Sequence, residues 1–138
     1  MRGFTRPEEI GPELVSRFGP FYALPSWISV ANGWVDDDRF VELQEYQNNW
    51  KAEAAVYLMA RYPWSLYFTE MHCTDHAAHR YLWKLDPTLI GKTSNKFFYP
   101  RGMVGIKELT PAAAKKWMAE IYMSVDRAVG NLLTAADN

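Results

Sequence analysis

The 138 residues are enough for one domain with a core of its own and not for two. A composition of 49% hydrophobic, 15% aromatic and 22% charged residues is that of a folded chain and excludes a disordered tail. The net charge of −1 offers no broad attraction to a nucleic-acid polymer or an anionic membrane. The single cysteine, Cys73, excludes an internal disulfide, and no apolar run approaches the length of a membrane span or a secretory leader, so the compartment is undefined.

In chain order, residues 5–19 read as a first helix, with Thr5 as cap, Pro7, Glu8 and Glu9 in the first turn and Gly19–Pro20 as the stop; Gly11–Pro12 threatens a break in its middle. Residues 21–34 read as an irregular aromatic loop with a short strand at 28–30, and the whole of 1–35 as a lid-like segment. From 36 to 62 the apolar residues Phe40, Leu43, Tyr46, Trp50, Ala54, Tyr57 and Leu58 recur at helical steps behind Asp36–Asp38, and Pro63 ends the run. Residues 65–70, apolar on both faces, read as a strand buried in a parallel sheet. After a basic–aromatic loop at 88–109, with Lys96 and Arg101 around Phe97–Tyr99, the clearest helix opens on Thr110 and Pro111. It carries an apolar stripe from Trp117 to Leu133, in which Gly130 suggests close approach to a strand.

The chemistry concentrates in 63–87, PWSLYFTEMHCTDHAAHRYLWKLDP, which holds all three histidines of the chain (His72, His76, His79), Cys73 and Asp75. A helix beginning near Thr74 places Asp75 and His79, four apart, on one face. A carboxylate oxygen and an imidazole nitrogen make half of a zinc-type site, which needs three protein ligands and one open position. Satisfied polar residues in a loop and a first helical turn are the alternative reading of the same spacing. A structural zinc site from His72, Cys73, His76 and His79 is disfavoured because its ligands crowd together in sequence.

The Asp75-x-x-x-His79 motif behind an apolar strand, with the later helix Tyr122-x-x-Val-Asp126-Arg127-Ala-Val-Gly130, resembles the alkaline-phosphatase superfamily, in its type I phosphodiesterase and nucleotide pyrophosphatase branch. The resemblance covers about residues 50–136. It implies an α/β fold, part of an alkaline-phosphatase-like sandwich with few parallel strands over 36–138 and a metal-motif loop at 70–80. It also implies that Asp75 and His79 hold one of two divalent ions, zinc first and manganese second, in a hydrolase of small phosphate esters. His72, His76 and Glu70 would then be supporting or substrate-facing residues, and Asp126 structural. The family's nucleophile and its Ser-Asp-His-Gly strand have no match here, and Ala77 stands where glycine is expected. The resemblance therefore implies an internal piece of a larger phosphoesterase, inactive alone, with an open sheet edge prone to self-association or to pairing with the rest of the domain. The competing expectation is a non-catalytic packing or interaction module.

Overall fold

The computed structural model describes residues 5–22, 26–86, 88 and 109–137. Its elements are α1 (Ile10–Phe18), α2 (Trp27–Ala31), α3 (Asp37–Arg61), α4 (Cys73–Ala77), a π-helical segment (Ala78–Leu82), α5 (Trp83–Leu85) and α6 (Pro111–Ala136). Every regular element among the described residues is helical, so the fold is all-α and the expected α/β sandwich is overturned.

The two long helices start where their caps dictate. Asp36 in extended conformation accepts the Arg39 N–H with its side chain at 2.8 Å, and Thr110 accepts that of Ala113 at 3.2 Å, with Pro111 following as the first helical residue. α3 and α6 run side by side in the same direction. Asp38 near the start of α3 meets the Trp117 Nε1–H (2.8 Å), Asn48 meets Ser124 (2.7 Å) midway, and Glu53 and Ala60 share a cleft with Thr134 and Ala135 towards the far ends. Parallel neighbours require a long connection, and part of it returns as a rod. α4, the π segment and α5 pass antiparallel to both, with Cys73 against Asn48 and Arg80 and Tyr81 against Asp37. α1 lies antiparallel on α3, with the Phe18 ring edge-on to Trp50 and Tyr57 and the Tyr57 hydroxyl donating to Glu13.

The core comprises Val30, Phe40, Val41, Cys73, Ala77, Tyr81, Leu109, Ala114 and Ile121. The aromatic stripe of α3 is not its centre. The buried residues are Phe40, Val41, Gln44, Gln47, Asn48, Ala52, Ala54 and Ala55, so Phe40 and Ala54 of the expected stripe are inside, while Tyr46 is exposed and Trp50 and Tyr57 pack under α1. Both helices bury small side chains, Ala52, Ala54 and Ala55 on α3 and Ala114, Ser124 and Ala128 on α6.

Four local expectations are corrected. Segment 65–70 forms no strand: it has no regular structure, and Leu66 and Phe68 are 86% and 89% exposed, because a strand needs a ladder partner and none lies beside it among the described residues. Residues 28–30 belong to α2, whose first turn is capped by the Ser26 hydroxyl accepting from Ile28 N–H. Gly11–Pro12 does not break α1. The helix starts at Ile10, so Pro12 falls in the first turn where no N–H is needed, and Thr5 accepts from Gly11 N–H at 3.1 Å rather than capping from residue 5. Gly130 meets nothing within 4 Å of where a Cβ would sit, so no close approach explains it. The loop at 88–109, with Lys96 and Arg101, lies almost wholly outside the described residues.

Candidate metal centre

The site is built by one turn of chain and the break that follows it. Beyond Arg61 the chain runs without regular structure to Met71, then His72 takes helical backbone angles as the first flanking residue of α4. α4 gives way after five residues to the π segment Ala78–Leu82, whose wider turn carries one residue more than an α turn. That extra residue lets Arg80 and Tyr81, adjacent in sequence, both enter the core and both bond Asp37. His79 meanwhile stays on the outward side with Asp75. π segments of this kind recur at functional sites.

Asp75 is the hub. Its Oδ2 lies 3.1 Å from His72 Nε2 and 3.4 Å from His79 Nε2, on a face where His72 and Asp75 are about half exposed. Donors bound tetrahedrally to zinc at 2.0–2.2 Å lie about 3.4 Å from one another, so both spacings already match the edge of a coordination polyhedron. Glu70 Oε1 is 2.6 Å from His72 Nδ1. His72 thus has a carboxylate beside each ring nitrogen, Glu70 at Nδ1 and Asp75 at Nε2, and a carboxylate behind a histidine is how ligand rings are held in orientation.

His76 completes a compact group. One ligand atom each from His72, Asp75 and His76 falls within 4.8 Å of the others, so the trio could hold a metal ion. The His76 ring is edge-on to His72 at 4.9 Å, is largely buried, and contacts the Gln44 amide on α3 through Nδ1 at 3.5 Å. His79 is held from its other side by Trp27 of α2, stacked at 5.6 Å and 26°. Thus all five residues singled out from sequence, Glu70, His72, Asp75, His76 and His79, converge on one patch. Gln44 and Trp27, which support it, were not among them; both come from segments distant in sequence, and no local motif marks either.

Cys73 points away from the patch. Its thiol is fully buried, accepts from the Asn48 amide at 3.1 Å, and burial pushes its pKa up, which keeps it protonated and poor as a ligand. This removes it from any four-residue zinc site. Lys51, whose pKa burial lowers, donates to the Glu70 carbonyl at 2.8 Å and anchors the approach to His72.

No protein-family model, curated protein or solved structure matches the chain.

Proposed function

We propose that the chain supplies a divalent-metal half-site to a phosphoester-hydrolysing centre, of the kind the Asp75-x-x-x-His79 motif resembles. The observation that carries the reading is the Asp75 carboxylate flanked by His72 Nε2 and His79 Nε2 at ligand-edge distances, with Glu70 behind His72. One oxygen and up to three imidazoles favour zinc, with manganese as the second choice. A bound zinc would supply Lewis-acid polarisation of a phosphoryl oxygen and charge for the leaving group. The chain's own part is to hold that position: Asp75 provides the anionic ligand, Glu70 holds the His72 ring, and Trp27 fixes the plane of His79. His72 and Asp75, each about half exposed, leave the patch open to ligands from outside the segment.

Binding of inorganic phosphate and of a non-hydrolysable phosphonate, with and without zinc, tests the phosphoester part. Saturable binding that requires both zinc and Asp75 is expected; zinc binding with no gain in phosphate affinity would leave a metal site without this chemistry. A second reading, a non-catalytic packing module, is favoured by the exposed Leu66 and Phe68 beside the patch. It differs in expecting Asp75→Ala to be silent in every binding assay.

A further inference from the structure

A cleft of about 500 Å³, lined by Val30, Trp34, Asp36, Asp37, Arg39 and Arg80, opens at the start of α3. The Arg80 side chain is only 1% exposed, and two of its nitrogens, Nε and Nη2, donate to Asp37 Oδ1 and Oδ2 at 2.9 Å each. The third nitrogen, Nη1, is buried and has no hydrogen-bond partner among the described residues. A buried guanidinium nitrogen keeps its need for an acceptor. The charges around it are already matched: Arg80 with Asp37, Arg39 with Glu42, and Asp36 with the Arg39 backbone N–H. Among the described residues the charged side chains that line the cleft, Asp36 and Asp37 against Arg39 and Arg80, balance in sign, so the cleft carries no net charge to draw an anion. The other walls are apolar, Val30 and the Trp34 indole, which is 74% exposed.

We infer that this cleft binds a small, neutral, planar molecule with a carbonyl oxygen, stacked on Trp34 and accepting from Arg80 Nη1. Trp indoles offer such rings a stacking face, and pockets of this size hold small organic ligands through a few placed polar groups. The inference stands apart from the metal reading, since no ligand of that patch lines the cleft.

The test is an NMR titration of the zinc-free chain with nicotinamide, which is neutral and carries a carbonyl, against nicotinate, its anionic counterpart. The Trp34 indole N–H, assigned through Trp34→Phe, is the reporter. A saturable shift with nicotinamide, about tenfold weaker for nicotinate and lost in Trp34→Ala, is expected. Trp34 is too exposed for its removal to threaten the fold, and Arg80→Lys, which keeps the charge but lacks Nη1, should weaken nicotinamide binding in a chain whose dispersion shows it folded. No saturable shift with nicotinamide, equal or tighter binding of nicotinate, or undiminished binding by Trp34→Ala would overturn the inference.

Discussion

Replacing Asp37 by alanine should cost about 3–5 kcal/mol of stability, because it strips Arg80 of its one ion partner among the described residues, in a site where the guanidinium is 1% exposed. Tyr81→Phe removes only the hydroxyl that donates to Asp37 at 2.9 Å and should cost about 1.5–3 kcal/mol, as befits a hydrogen bond to a charged group. Chemical denaturation at neutral pH checks both and their order. Tyr81 also sets an alkaline limit. Burial, and then the Asp37 charge, raise its pKa well above the ordinary 10.0. The neutral phenol is therefore favoured in the folded chain; its stabilising contribution is complete below pH 10 and is lost as pH rises further. Denaturation midpoints measured between pH 8 and pH 11 should fall at the alkaline end, and less steeply in Tyr81→Phe. The Cys73 thiol, fully buried and held protonated by its surroundings, should resist a thiol-specific reagent at pH 8 in the native chain and react at once in denaturant; rapid native labelling would contradict its placement.

At the scale of elements, caps and periodicity carried most of what was legible. Thr110 announces α6 because a short acceptor beside the first unpaired N–H groups is a local requirement, and the acidic run Asp36–Asp38 marks the start of α3 by its charge, with Asp36 proving to be the cap. The Asp75–His79 pairing was legible for the same reason: it depends on one turn of helix. What needed distant chain was not legible. The π turn that sends both Arg80 and Tyr81 inward exists because Asp37, more than forty residues earlier, bonds both. The inner face of α3 is polar and small because α6 lies close against it, which no pattern within α3 reveals. Segment 65–70 has the composition of a buried strand, yet strand preference is a statement about neighbours, and here none pairs with it. Its consequence is an exposed Leu66 and Phe68. Changing both to serine should reduce self-association in sedimentation while shifting stability by no more than about 0.5 kcal/mol, since neither side chain is buried.

Across the whole molecule, two parallel helices and an antiparallel rod hold the histidine–aspartate patch, which could take a metal ion, at the entry to that rod. His76 reaches Gln44 of α3, and Lys51 of the same helix fixes the Glu70 carbonyl. The patch is thus set on a rigid element and braced from α3 and α2, as preorganised ligand sites require. An isolated peptide covering 70–80 would carry the same five side chains without that bracing and should bind metal far more weakly. The account stands or falls on zinc calorimetry of the intact chain beside Asp75→Ala and His79→Ala. One zinc bound at micromolar affinity or tighter, with Asp75→Ala abolishing it, His79→Ala weakening it and both variants keeping their helical content, is the predicted result. Zinc bound equally well by Asp75→Ala, or not bound at all by the unaltered chain, would contradict the assignment of this patch as a metal half-site.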